Sequence, residues 1–218
     1  PSNPTGNMYH KDELQQLAEI AVRHGFYIVS DEVYEKLIYD DMVHVSVGSL
    51  SPEVLERTIT ANGLSKAYSM TGWRLGYAAA YHELIEAMIR IHQYTTVCAT
   101  SFAQWGAIEA LDGPQTEAEV MVREFDRRRK LVYAALQEMP GIKVVEPRGT
   151  FYIFPNIRAL GKTAEDLSWY LLDAAKIAVV PGTVMGEYGG DYIRISYATS
   201  YENLEKAMER MRTALKKI

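Results

Sequence analysis

The chain has 218 residues, with 23 Lys+Arg against 28 Asp+Glu and a formal net charge of −5; a surface that neutralises a phosphate backbone needs a basic excess, so nucleic acid is excluded as a default partner. Hydrophobic residues make up 48 % and charged residues 23 %, ordinary globular usage that excludes wholesale disorder and supplies a core for one large domain or one and a half. The single cysteine, Cys98, forms no internal disulfide, and no stretch approaches the roughly 20 apolar residues of a spanning helix, so a reducing, cytoplasmic setting without membrane contact is expected.

The chain opens on the turn Pro1-Ser2-Asn3-Pro4-Thr5-Gly6 rather than on Met, and is expected to lack its natural beginning. From Lys11 to His24, Leu14, Leu17, Ala18, Ala21 and Val22 recur at helical spacing until Gly25 stops them. Phe26 to Ser30 is an apolar run of strand length that ends in Asp31-Glu32, the pattern of a parallel strand buried on both faces. Arg57 to Ala61 and Leu75 to Ala80 predict two more strands, with the polar, glycine-rich Asn62 to Gly72 between them. Helices are expected over His82 to Gln93, Ser101 to Leu111 and Thr116 to Met139, the last with the length of a connector. After Pro140-Gly141 the texture changes to short strands (Lys143 to Glu146, Thr150 to Pro155, Ile177 to Val180, Tyr192 to Tyr197) alternating with helices near Ala164 to Ala174 and Tyr201 to Lys216, an α+β pattern. Thr163 and Ser200 are the expected N-caps of those two helices. The basic run Arg127 to Lys130 lies inside a helical pattern and is expected to be a solvated face.

Four residues bear on chemistry. Asp31 ends a strand, where open α/β sheets place ligands; it is either a cap for backbone N–H groups or a charge holding a cationic ring nitrogen. Lys66, in Asn62-Gly63-Leu64-Ser65-Lys66-Ala67-Tyr68, is either a solvated loop lysine or an amine able to form a Schiff base with a carbonyl. Arg74, opening a buried strand, must fork onto a phosphate or a structural carboxylate, because an unpaired charge there is very costly. Arg194 shares a strand face with Tyr192 and Ser196, opposite Ile193 and Ile195, and is either a surface residue or a carboxylate fork. The five histidines show no ligand spacing, and no zinc site, nucleophile elbow or Walker loop is visible.

Pro1-Ser2-Asn3-Pro4-Thr5-Gly6, Ser30-Asp31-Glu32-Val33-Tyr34, Ser65-Lys66 leading to Thr71-Gly72-Trp73-Arg74-Leu75-Gly76-Tyr77, and Ile193-Arg194-Ile195-Ser196-Tyr197 stand in the order and register of one family. Over essentially its whole length the sequence resembles the class I/II, fold-type I aminotransferases that use pyridoxal 5′-phosphate, and Gly149 to Pro155 is most similar to their aspartate and aromatic branch.

The resemblance implies an α/β fold. The C-terminal part of a cofactor-binding large domain, with a mainly parallel sheet and flanking helices, spans residues 1–112; a connecting helix spans 113–140, and a small α+β domain spans 141–218. It implies that Lys66 holds the cofactor as a Schiff base and moves the proton at the substrate Cα. Asp31 sits on the pyridinium nitrogen, Asn3 and Tyr34 on the ring's phenolic oxygen, Arg74 and Ser65 on the phosphate, and Arg194, with Asn3, on the substrate carboxylate. Gly63 replaces the phosphate serine that some relatives carry three residues before the lysine. The expected reaction moves an amino group from an aspartate-like L-amino acid to a 2-oxo acid such as 2-oxoglutarate, in a homodimer. The family's phosphate cup and ring-stacking aromatic would precede Asn3, so the chain alone is expected to turn over little and to expose apolar sheet edges. A carbon–sulfur lyase or cyclopropane-carboxylate synthase of the same fold, and an inert aminotransferase-like module, are the alternatives.

Overall fold

The computed structural model describes residues 1–218 and divides into two units, Pro1 with Tyr9–Val120 and Ser2–Met8 with Met121–Ile218. In the first unit, α1 (Lys11–His24) starts where the His10 N–H donates to the Glu13 carboxylate at 2.7 Å. It stops at Gly25, whose φ of 69° lets its N–H turn back to the carbonyls of Ala21 and Val22. The apolar stripe of α1 then faces β1 (Ile28–Asp31) and α2 (Pro52–Leu55), and Ala18, Val47 and Val54 close a small core with Leu14, Val22, Ile28 and Leu50. Ser51 caps α2 by accepting from the Val54 N–H at 3.3 Å.

β2 (Thr58–Gly63) runs parallel to β1, with Asp31 opposite Ala61, and continues directly into the single turn α3 (Leu64–Ala67). β3 (Gly76–Ala79) returns antiparallel to β2, with Gly63 opposite Gly76, so the sheet order is β1-β2-β3. α4 (His82–Thr95) and α5 (Ser101–Asp112) follow. Two expectations need correction. The Phe26 to Ser30 run is not buried on both faces in this chain: β1 is an edge strand paired on one side only and Val29 is 71 % exposed, which agrees with the other expectation, that the chain exposes apolar sheet edges. β3 is exposed along its whole length, so Arg74 does not open a buried strand.

α6 (Thr116–Gln137) spans the boundary between the units. In the second unit, β4 (Tyr152–Ile153), β5 (Val180–Pro181) and β6 (Ile193–Ser196) form an antiparallel sheet in the order β4-β6-β5. α7 (Ala164–Tyr170) passes into a π-helical turn over Leu171–Ala175, and α8 (Tyr201–Leu215) ends the unit. Thr163 and Ser200 cap α7 and α8 as expected, accepting from the N–H groups of Asp166 and Asn203 at 3.1 and 3.2 Å. Alternation in β6 sends Ile193 and Ile195 into a core with Val132, Leu136, Ile153, Leu167 and Met211. The strand expected over Lys143 to Glu146 reduces to one bridge, Lys143 with Asn156. The Glu146 side chain and the Pro147 carbonyl are instead drawn to Arg129, and Pro147 has no N–H to extend a ladder.

Arg129 overturns the reading of the basic run as a solvated face. It is fully buried, with Nε and Nη2 on Asp126 at 2.9 and 2.7 Å and Nη1 on Glu146 at 3.2 Å and on the Pro147 carbonyl at 2.9 Å. The opening turn docks on the same segment. Gly6 holds a φ of 70°, its carbonyl accepts from the Arg148 and Gly149 N–H groups at 2.8 and 2.9 Å, and a Cβ there would lie 2.3 Å from the Pro147 Cβ.

Candidate active site

Strand direction assembles the first unit's candidates. Parallel β1 and β2 both end at one edge of the sheet, and antiparallel β3 begins there, so Asp31, the Ser65-Lys66 pair and Arg74 emerge at the same end. Ligands of open α/β sheets bind at this end. Asp31 is exposed and accepts from the Val33 N–H at 3.2 Å, so it does form the local turn contact, yet its carboxylate stays open to solvent. Tyr34, three residues on, is buried.

Between them, Glu32 is only 4 % exposed and anchors the segment. Its carboxylate accepts from Ser30 Oγ, Ser46 Oγ and His44 Nε2, each at 3.0 Å, and from the Val47 N–H at 3.2 Å. Burial alone would raise its pKa, but the hydrogen bonds from His44, Ser46 and Ser30 together outweigh burial and hold it below the usual carboxylate value.

Ser65 and Lys66 lie half-buried on α3. Arg74 is exposed, sits at a φ of 55°, and donates through Nη1 to the Thr71 carbonyl at 2.9 Å, with no carboxylate in ion-pair range. Its neighbour Trp73 fills the space left by Gly106 of α5, where a Cβ would lie 2.5 Å from the indole. That contact explains a mid-helix glycine that would otherwise cost about 1 kcal/mol against alanine. An amine, a carboxylate and an unneutralised guanidinium at one sheet end answer an aldehyde carbon, a pyridinium nitrogen and a phosphate monoester, so these residues fit pyridoxal 5′-phosphate.

In the second unit, Arg194 is half-buried on β6 and has no carboxylate partner. Its Nη1 donates to Asn3 Oδ1 at 2.9 Å and lies 3.9 Å from the Met185 sulfur, while its guanidinium stacks 4.4 Å from the centre of the Tyr152 ring. The docked turn of Gly6 thus delivers Asn3 to Arg194. A guanidinium oriented by an amide and a ring, with no carboxylate answering its charge, has the geometry to fork onto one. Tyr152 was missed at the sequence level; pairing of Tyr152 with Ser196 across β4 and β6, two residues from Arg194, is the register signal that identifies it.

The family profile described as "Aminotransferase class I and II" matches residues 1–211. The chain is 48 % identical over 218 residues to the aspartate aminotransferase of Pyrococcus abyssi, covering 99 % of this chain and 56 % of that protein. It is 46 % identical to the aromatic-amino-acid aminotransferase 2 of Thermococcus litoralis, covering 99 % and 56 %. Among solved structures, the aromatic aminotransferase of Pyrococcus horikoshii OT3 superposes with a TM-score of 0.96 at 48 % identity, over 100 % of this chain and 58 % of that one. The aspartate aminotransferase of Rhizobium meliloti gives 0.94 at 38 % identity, over 99 % and 56 %. The chain spans about half the length of the curated relatives it matches. On the family match and these structural likenesses, the chain belongs to the class I and II aminotransferases and carries their fold-type I architecture.

Proposed function

We propose that the chain carries the lysine-bearing part of a pyridoxal-phosphate-dependent aminotransferase that moves an amino group from an aspartate-like amino acid to a 2-oxo acid such as 2-oxoglutarate, in a cytoplasmic homodimer. The observation that carries this reading is the emergence of Asp31, Lys66 and Arg74 at one end of the β1-β2-β3 sheet. When bound, the cofactor supplies an electron sink that makes the substrate Cα–H acidic. With the cofactor bound, Lys66 would hold its aldehyde carbon through Nζ and would serve as the base that moves the substrate Cα proton. Asp31 would keep the ring nitrogen protonated, Tyr34 would hydrogen-bond the phenolic oxygen, and Arg74 and Ser65 would hold the phosphate. Arg194, steered by Asn3 and Tyr152, grips the α-carboxylate and so fixes the orientation of the substrate. The aspartate preference rests on the relatives' names.

The test is to incubate the 218-residue chain with pyridoxal 5′-phosphate, reduce with borohydride and locate the adduct by peptide mass. An adduct at Lys66, lost in Lys66→Ala, is expected; an adduct spread over surface lysines refutes the assignment. The 218-residue chain alone is expected to turn over little; any transfer it shows should depend on an added oxo acid, and pyruvate release without one would instead make the protein a lyase.

A further inference from the structure

α3 is a single turn, and a four-residue helix has too few internal bonds to hold its own position. The loop that follows contains two residues outside the usual backbone regions, Ser69 at φ 54° and Arg74 at φ 55°. Its internal bonds are long: the Tyr68 and Met70 N–H groups reach the Leu64 carbonyl at 3.2 and 3.4 Å. Something outside the turn must hold the α3 backbone in place.

Gln115, just beyond the end of α5, has its whole hydrogen-bonding capacity committed. Oε1 accepts from the Tyr68 hydroxyl at 3.0 Å and from Lys36 Nζ at 3.1 Å. Nε2 donates to the carbonyls of Gly113 at 2.8 Å and Ala110 at 3.0 Å, with that of Leu111 at 3.4 Å. Lys36 Nζ also lies 5.6 Å from the centre of the Tyr68 ring. Tyr68 is two residues from Lys66, and Lys36 is two residues from Tyr34. One amide, half-buried and clamped to the C-terminal end of α5, therefore joins the segment carrying Asp31 and Tyr34 to the segment carrying Lys66.

We propose that Gln115 is a positioning residue for Lys66, holding the α3 turn in register with the Asp31–Tyr34 segment through Tyr68 and Lys36. The inference rests on the reading of Lys66 as the cofactor lysine, and its test separates the two.

Tyr68→Phe, Gln115→Leu and the double variant are made in the 218-residue chain. Two quantities are read: hydrogen exchange at the Tyr68 and Met70 amides, and the share of borohydride-trapped pyridoxal phosphate at Lys66 relative to the other lysines. Tyr68→Phe, which removes one hydroxyl bond, is expected to speed local exchange about five-fold. Gln115→Leu, which also releases Lys36 and removes the bonds to the Gly113, Ala110 and Leu111 carbonyls, is expected to speed it about twenty-fold. Because Tyr68 acts through Gln115, the double variant should match Gln115→Leu within about two-fold. The Lys66 share of the adduct should fall in the same order at unchanged Tm, which separates a local tether from general softening of the fold. Unchanged exchange, raised exchange with an unchanged Lys66 share, or additive effects of the two substitutions would each overturn the proposal. If Gln115→Leu fails to fold, Tyr68→Phe alone decides by the same two readouts. If the unsubstituted chain traps no cofactor at Lys66, the proposed function fails, and the exchange measurement alone supports or overturns the tether.

Discussion

Replacing Arg129 with methionine leaves the volume nearly filled and removes the charge at the centre of the second unit. Arg129 is 0 % exposed and its partners Asp126 and Glu146 are 25 % and 31 % exposed, so the substitution leaves two part-buried carboxylates with only their outer cations, Lys130 at 2.6 Å and Arg148 at 3.9 Å. Breaking a buried pair by removing one member costs about 3–5 kcal/mol, and the partial hydration of both carboxylates puts this case at the lower end, about 3 kcal/mol. The Pro147 carbonyl, accepting at 2.9 Å, adds about 1 kcal/mol when orphaned. The sum, about 4 kcal/mol, is a large part of a typical domain's stability and corresponds to a fall of about 20 °C in Tm. Thermal melts followed by circular dichroism measure the shift. Exchange of the Tyr197 amide, buried and bonded to the Phe151 carbonyl at 3.0 Å, reports on the second unit directly and should accelerate about 1,000-fold at 1.4 kcal/mol per decade. Acceleration of less than tenfold in Arg129→Met would refute the reasoning, because it would mean that desolvating the guanidinium cancels what its bonds contribute.

Gly6→Ala meets both a positive φ and a Pro147 contact 2.3 Å away, so the opening turn should lift off and the Arg148 and Gly149 amides lose protection, measurable by hydrogen exchange, while the first unit stays unchanged. Tyr152→Leu removes the ring beneath Arg194 and, on the proposed function, should weaken carboxylate binding about three- to ten-fold in a titration, with little change in Tm. Glu32 titrates below its usual value of 4.5 when folded, so its contribution is fully present above about pH 4.5 and is lost as pH falls through the lower folded value. Glu32→Gln should therefore flatten that part of the acid unfolding curve and cost about 2 kcal/mol at pH 7; an acid limb identical to that of the unsubstituted chain would contradict the assignment.

Local pattern made the helices legible. The stripe of Leu14, Ala18, Ala21 and Val22 and the stop at Gly25 needed only neighbours in sequence, as did the caps at Thr163 and Ser200. Strand burial was not legible, because an apolar run such as Phe26 to Ser30 reads the same in a central strand and at an edge. Nor could the sequence separate Arg129 from Arg127 and Lys130: only the Glu146 and Pro147 contacts reveal which member of the run turns inward. At the candidate site, motif register singled out Lys66, Asp31 and Arg74, whereas it passed over Gln115 and Tyr152, since each touches a residue far away in the chain.

The docking of Ser2–Met8 on the Pro147–Gly149 segment ties the second unit into a ring in which Tyr9–Val120 is one long closed loop. Closure entropy grows only with the logarithm of loop length, each doubling costing about 0.6 kcal/mol, so insertions within the first unit should barely alter how firmly Asn3 meets Arg194. Timing is affected more than firmness. Asn3 is made long before Arg194, and such distant partners meet late on a folding route. The Asn3–Arg194 contact is then expected to form after β6, whose residues pair over a much shorter stretch of chain.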